Sequence, residues 1–275
     1  MTFDEGAVGW LADLLEEAAE SEIMPRFRRL GDGQIRQKTS AADLVTDADV
    51  EAERLITRRL RERWPNALVV GEEACSDDPT LLDGLDDADL AFVVDPVDGT
   101  FNFAAGVPLF GVMLAVLVRG EAVAGLILDP LGKDCMIGVR GAGSHVRHAD
   151  GRVEAVRVAQ AAPLVEMTGA VSWQYFAEPE RSRIARNQAK TLSQFAYRCS
   201  AHEYRLLAAG KAHFIVYNKL MPWDHLPGTL IHAEAGGHTA RLDGSPYRAG
   251  HLNGGLLVAP DRESWRELRR ELWAD

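Results

Sequence analysis

The stretch Val93-Val94-Asp95-Pro96-Val97-Asp98-Gly99-Thr100-Phe101-Asn102-Phe103 decides how this chain is read. Its apolar, β-branched opening has the composition of a buried strand. Two carboxylates three residues apart enclose Pro96 and Val97, and Gly99-Thr100 then breaks the strand. Carboxylate oxygens suit hard cations such as Mg²⁺, which keeps several waters while it bridges to phosphate. A helix starting after Gly99 would aim free backbone N–H groups at the same spot, and such a start binds anions without a charged side chain. Cation and phosphate would meet at one point, which implies Mg²⁺-dependent hydrolysis of a phosphate ester. Alone, Asp98-Gly99 reads more simply as an acidic turn between a strand and a helix.

At 275 residues, 47% of them hydrophobic, the chain can bury one large core or two small ones. A formal net charge of −11 argues against nonspecific nucleic-acid binding. The same charge repels an anionic substrate, so bound cations must reverse the local field. Cys75, Cys135 and Cys199 are odd in number and scattered. That is neither a disulfide framework nor a zinc spacing, and it fits a reducing cytoplasm. Residues 1–19 carry acids and lack a basic leader, and no apolar run reaches transmembrane length. The expectation is a cytoplasmic protein with no signal peptide and no membrane partner.

Val8, Leu11, Leu14, Leu15, Ala18 and Ile23 recur at helical spacing, predicting one helix or a broken pair over 5–30, ended by Gly31. Residues 31–39 are polar with two glycines and read as a mobile loop. A second helix is expected over 47–63, then a short strand over 67–70 aimed at Gly71-Glu72-Glu73, then a solvated acid loop over 76–89. Strands follow over 90–94, 111–118, 122–128 and 136–139, with a short link at 102–105. Hairpin turns are expected at Gly141-Ala142-Gly143 and Asp150-Gly151. The second half predicts strands over 165–171, 212–216, 238–242 and 256–259. Its helices fall over 178–190, 201–209, 224–235 and 262–273, with Asp224 as an N-cap and Gly236-Gly237 as a stop. The alternation favours a layered α/β or α+β fold, with halves 1–157 and 158–275 in one structural unit.

The eleven-residue string resembles the signature of the inositol monophosphatase family, Asp-Pro-Ile/Leu/Val-Asp-Gly-Thr-x-Asn-Phe. Three further places resemble the family in the expected order: Leu44-Val45-Thr46-Asp47-Ala48-Asp49, Gly71-Glu72-Glu73, and Trp223-Asp224 with Glu234-Ala235-Gly236-Gly237. The resemblance spans residues 38–237. It implies an αβαβα sandwich of the sugar-phosphatase type, a homodimer, and a small phosphorylated metabolite as partner. It also implies membership of the Mg²⁺-dependent, lithium-sensitive phosphatase superfamily, with Li⁺ displacing the second Mg²⁺. Glu72 and Asp224 fall on metal ligands, and Glu73 on their neighbour.

Two-metal hydrolysis accounts for four carboxylates: ions roughly 3.5–4 Å apart need one shared ligand. Asp95 is assigned as that bridge. The first Mg²⁺ would use Glu72, Asp95 and the Val97 carbonyl; the second would use Asp95, Asp98 and Asp224. A third, weaker ion near Glu72 is implied by the family alone. Asp49 falls on the aspartate that hydrogen-bonds the Thr100 hydroxyl, a pair that would orient the attacking water. Asp49, Thr100 and Glu72 are thus the expected catalytic set. The Gly99 and Thr100 N–H groups would bind phosphate, left free because residue 99 has no side chain. Lys38 matches a family lysine on the mobile loop. Plainer readings stand beside these: an exposed acid pair at Glu72-Glu73, a capping box at Thr46–Asp49, a simple N-cap at Asp224, and a solvated Lys38.

The chain departs from the family where substrate is read. The family's Gly-Ser/Thr-Ala falls on Arg198-Cys199-Ser200, and its hydroxyl-binding glutamate falls on Tyr217, followed by Asn218-Lys219. Lys38, Ser200, Tyr217 and Lys219 are the candidate substrate contacts; Lys219 either meets a second anionic group or is solvated. The expected reaction is hydrolysis of a small polyol or sugar phosphate similar to inositol 1-phosphate. Histidinol phosphate, fructose bisphosphate and phosphoadenosine phosphate are alternatives. A non-catalytic regulatory or binding protein on the same scaffold is the alternative of another class. No Gly-x-Ser-x-Gly, His-Glu-x-x-His or cysteine pair supports a serine or zinc hydrolase.

Overall fold

The computed structural model describes residues 4–31, 33–40 and 43–275. Helix α1 (Glu5–Ala18) is capped by the Asp4 carboxylate, which accepts the Ala7 N–H at 2.8 Å. It passes into a π-helical turn over Ala19–Ile23. The stretch expected as a loop at 31–39 is largely strand: β1 (Ile35–Ser40) pairs antiparallel with β2 (Asp43–Thr46). Asp32 lies outside the described residues. Five of the six β1 side chains are exposed, so no apolar alternation marks the strand in the sequence.

Helix α2 (Asp47–Arg63) follows, then β3 (Leu68–Gly71), α3 (Glu72–Asp77), β4 (Ala91–Asp98) and α4 (Thr100–Ala104). Strands β5 (Gly111–Val118), β6 (Glu121–Asp129), β7 (Asp134–Val139), β8 (Gly143–His148) and β9 (Val153–Ala155) form an antiparallel meander. With β3 and β4 they make one sheet in chain order, in which only β3–β4 is parallel. The expected hairpin turns are present. The strands β8 and β9 that they connect escape the sequence reading because β8 is mostly polar and β9 is only three residues long and exposed.

The second half adds β10 (Thr168–Val171), α5 (Glu180–Asn187), β11 (Ser193–Gln194), α6 (Ser200–Ala208), β12 (Phe214–Tyr217), α7 (Pro222–Glu234), β13 (His238–Arg241), β14 (Leu256–Ala259) and α8 (Arg262–Leu272). Its sheet runs β11-β10-β12-β14-β13. The strand expected over 165–171 opens instead as a 3₁₀ turn at Leu164–Glu166. The helix expected over 178–190 spans Glu180–Asn187 and ends in a 3₁₀ turn. Helix α7 begins earlier than expected. Met221 is its N-cap, Pro222 opens it, and Asp224 lies inside the first turn. Proline suits that first position, where a missing N–H costs nothing.

Period-two burial sorts these elements into five layers. Val112, Leu114 and Val116 of β5 face Leu11 and Leu15 of α1 and Ile56 and Leu60 of α2. Met113 of β5 and Ile127 of β6 face the other way, onto Tyr204 and Leu207 of α6 and Ile231 of α7. Those helices also cover Ile215 of β12 and Val258 of β14. The alternate residues, Phe214, Val216 and Leu257, pack under Ile184 of α5 and Leu268 of α8. The order is helices, seven-stranded sheet, helices, five-stranded sheet, helices. This is the αβαβα sandwich, with α6 and α7 shared between the sheets. Among the described residues no helix is long and apolar enough to cross a membrane.

Candidate functional site

Residues three apart on a regular strand point to opposite faces. Asp95 and Asp98 escape this rule through a bulge. Asp95 pairs with Met113 and Asp98 with Gly111, so β4 spends one residue more than β5 over the same distance. A bulge re-aims side chains in this way, and Pro96, which has no N–H for the ladder, sits within it. Because β3 and β4 are parallel, Glu72 at the end of β3 comes to the same edge. From the middle layer, the first turn of α7 brings Asp224. Asp95, Asp98 and Asp224 each offer a carboxylate oxygen within 4.8 Å of the others'. The Glu72 carboxylate is held to one side by Lys38, whose Nζ donates to Glu72 at 2.9 Å and Glu73 at 2.8 Å.

Burial lifts Asp95 and Asp224 well above the usual carboxylate range. The charges of Glu72, Asp98 and Asp224 raise Asp95 further, and those of Asp98 and Glu72 raise Asp224. Burial also raises Asp98, against hydrogen bonds from the Cys199 thiol (3.0 Å) and the Ala201 N–H (2.6 Å) at the start of α6. Burial raises Glu73 to about 8, with the charge of Glu72 adding and Lys38 opposing. Burial would lower the Lys38 ammonium, but the charges and hydrogen bonds of Glu72 and Glu73 outweigh it and hold Lys38 above its ordinary value. A buried, mutually repelling set of hard oxygen donors is the chemistry of a Mg²⁺ or Ca²⁺ site, so these residues fit the ion that the sequence implies.

Asp49 serves two structures at once. Its carboxylate accepts the Thr46 N–H at 2.9 Å in a capping box that starts α2. Its other oxygen lies 3.0 Å from the Thr100 hydroxyl. That hydroxyl is also 3.0 Å from the Val97 carbonyl, and its single proton serves one acceptor at a time. Burial raises Asp49 to about 6, with the Thr46 hydrogen bond opposing. Gly99 sits at φ +88°, a left-handed conformation that favours glycine. A Cβ there would lie 2.9 Å from the Leu109 carbonyl oxygen. Leaving amides free is therefore only part of the reason for glycine. In the same signature, Asn102 donates to the carbonyls of Leu109 (2.9 Å) and Tyr197 (2.7 Å), tying α4 to the approach of α6.

The sequence reading missed three residues here. Glu53 is 6% exposed and its carboxylate accepts the N–H groups of Glu73 and Ala74, both at 2.8 Å. It caps α3 and so aims Glu72. Gly71 gives it room, since a Cβ there would lie 2.2 Å from Glu53 Cδ. The available signal was its place four residues after Asp49, on the same inward helix face. Cys199 had a signal in its register, which puts it on the family's Ser/Thr position, though not as a donor to Asp98; Glu203 carried none.

Beside the carboxylates lies a cavity of about 250 Å³, lined among others by Gly99, Ser200, Glu203, Tyr217 and Lys219. The Ser200 hydroxyl contacts Met113 Sδ at 3.5 Å. Tyr217 donates its hydroxyl to Glu203 at 2.7 Å, and Glu203 also accepts the Tyr197 N–H at 3.2 Å. Burial lifts Glu203 to about 7 against the Tyr217 hydrogen bond. Glu234, in the last matching segment, accepts the N–H groups of Gly141 (2.9 Å) and Gly143 (3.0 Å), which anchors the β7–β8 turn to α7.

Residues 11–274 match the sequence model of the inositol monophosphatase family. The chain is 31% identical to the inositol-1-monophosphatase of Mycobacterium bovis over 259 residues, 88% of this chain and 85% of that one. It is also 31% identical to the Nus factor SuhB of Pasteurella multocida over 255 residues, 92% of this chain and 91% of that one. The solved structure of the extragenic suppressor protein suhB from Bartonella henselae covers 98% of both chains with a TM-score of 0.81 at 24% identity, the same fold.

Proposed function

The chain belongs to the inositol monophosphatase family, and on that premise we propose that it is a Mg²⁺-dependent phosphomonoesterase acting on a small phosphorylated metabolite. The observation that carries this reading is the meeting of Asp95, Asp98 and Asp224 from two different layers at one point. Those three carboxylates would hold one Mg²⁺, and Glu72, Asp95 and the Val97 carbonyl a second. Bound there, the ions would supply charge to the ester phosphate and a nucleophilic water near neutral pH. The chain's own groups would do the rest. The Gly99 and Thr100 amides, at a left-handed turn into α4, would receive the phosphate oxygens. Ionised Asp49 would accept the Thr100 hydroxyl hydrogen bond at its Oδ1, which orients that hydroxyl so that a lone pair on the Thr100 oxygen can accept from the attacking water and fix its approach.

The test is phosphate release from a panel of esters: inositol 1-phosphate, histidinol phosphate, fructose bisphosphate and phosphoadenosine phosphate. Turnover is expected with Mg²⁺ and is expected to vanish in excess EDTA. Turnover undiminished by EDTA would refute the metal-dependent mechanism. A folded, Mg²⁺-binding protein that released no phosphate from any ester would favour the non-catalytic alternative.

A further inference from the structure

Phe101, Trp173, Tyr175, Phe195 and Tyr217 all line the cavity beside the carboxylates. The chain has six Trp, five Tyr and nine Phe, so a quarter of its large rings meet one cavity. Three of them are solvent-exposed: Phe101 at 36%, Trp173 at 41% and Tyr175 at 58%. Exposed rings gathered at one place mark a binding surface.

The display is built. Trp173-Gln174-Tyr175 is a 3₁₀ turn at the end of β10. The next residue, Phe176, is 6% exposed and packs edge-on against Trp273 at 5.8 Å. The Ser172 N–H donates to the Val216 carbonyl at 2.9 Å, and Asn218 donates to the Tyr175 carbonyl at 2.6 Å. The turn is thus pinned on three sides while its two rings stay outward. Next to the phosphate amides, the Arg198 guanidinium lies 3.7 Å from the Phe101 ring centre. Arg198 holds this position at φ +53°, a conformation that bulky residues rarely adopt.

Two of the groups in the cavity that could read hydroxyls are already engaged. The Tyr217 hydroxyl is donated to Glu203, and the Ser200 hydroxyl is shared between the Met113 sulfur and the Asp98 carboxylate. The lining also carries polar side chains such as Gln174 and Lys219, but the side formed by Trp173 and Tyr175 offers exposed rings. Ring faces are complemented by flat, polarisable surfaces in offset stacking.

We propose that the alcohol part of the substrate carries a planar unsaturated ring, which stacks on Trp173 and Tyr175 while the phosphate lies at Gly99 and Thr100. This rests on the phosphomonoesterase reading and adds to it the class of leaving group.

Benzyl phosphate and cyclohexylmethyl phosphate share charge and ester linkage and differ mainly in the planarity of the ring. In Mg²⁺, kcat/KM for the benzyl ester is expected to exceed that for the cyclohexylmethyl ester by about tenfold. In the Trp173→Ala/Tyr175→Ala variant the ratio should fall to within about twofold, and Trp173→Phe/Tyr175→Phe should keep most of it. Equal wild-type values, or a ratio that survives in the alanine variant, overturn the proposal. Calorimetry with benzylphosphonate in Mg²⁺ reads the same subsite without turnover, and the alanine variant should bind about tenfold more weakly. Ring-dependent binding without hydrolysis of any ester would refute the phosphatase reading and keep the subsite. Hydrolysis of all esters with no ring preference would do the reverse.

Discussion

At Asp95, burial and four neighbouring acids bear on one side chain, and one change there would disturb two ion positions at once. Asp95→Asn is therefore expected to lower kcat more than Asp224→Asn at saturating Mg²⁺, with far-UV circular dichroism to verify folding. Comparable losses would show that Asp95 bridges nothing. Asp49 and Thr100 form one unit 3.0 Å apart. Asp49→Asn and Thr100→Ala should each lower kcat roughly 10–100-fold, and the double variant should lose little more than the worse single one. Fully additive losses in steady-state kinetics would separate the two residues. The acids around Asp95 are legible in the sequence because spacing binds them into a string. Glu203 is not, because a single acid in an amphipathic helix carries no spacing. Its burial at 6% exposure depends on Tyr217, fourteen residues further along.

Elements with strong periodicity are read within a residue or two: α2, β5, β14 and α8 fall where the pattern of apolar residues puts them. Elements that lean on neighbours are not. Strand β1 is polar because five of its six side chains are exposed, and β9 is exposed along its length. Helix α7 was legible in its existence and misread at its start, since an aspartate in a first turn and an N-cap aspartate look alike in sequence. The same helix buries His232, 1% exposed, whose Nε2 has no hydrogen-bond partner among the described residues. Burial holds its imidazole down at about 3. The folded chain keeps His232 neutral while the unfolded chain takes up a proton near 6.5. Its contribution is therefore fully present above that value and is lost as pH falls toward 3. At pH 5 the loss is about 2 kcal/mol. In urea titrations at pH 7 and pH 5, His232→Gln should show that much less acid destabilisation than the wild type. An unchanged difference would mean that His232 does not govern it.

Across the whole molecule, the layered architecture was legible from the alternation of elements, whereas the partnership between the halves was not. No local pattern says that α6 and α7, encoded after residue 199, will cover Met113 and Ile127 of the earlier sheet. That arrangement bears on how the protein comes into being. Synthesis delivers Glu72, Asp95 and Asp98 long before Asp224, so a nascent chain that has built its first sheet presents three of the four acids and still lacks the fourth. Closure of such distant segments is slow relative to local folding. On the proposed reading, activity is then expected to be acquired last. On dilution from urea into Mg²⁺, phosphate release should recover more slowly than far-UV circular dichroism; simultaneous recovery would show that the halves assemble in one step. A chain stalled or clipped before α7 would keep the first sheet and three of the acids. It would lack Asp224, a helix that both sheets share and two strands of the second sheet, so activity, on the proposed reading, would report a chain whose assembly had gone to completion.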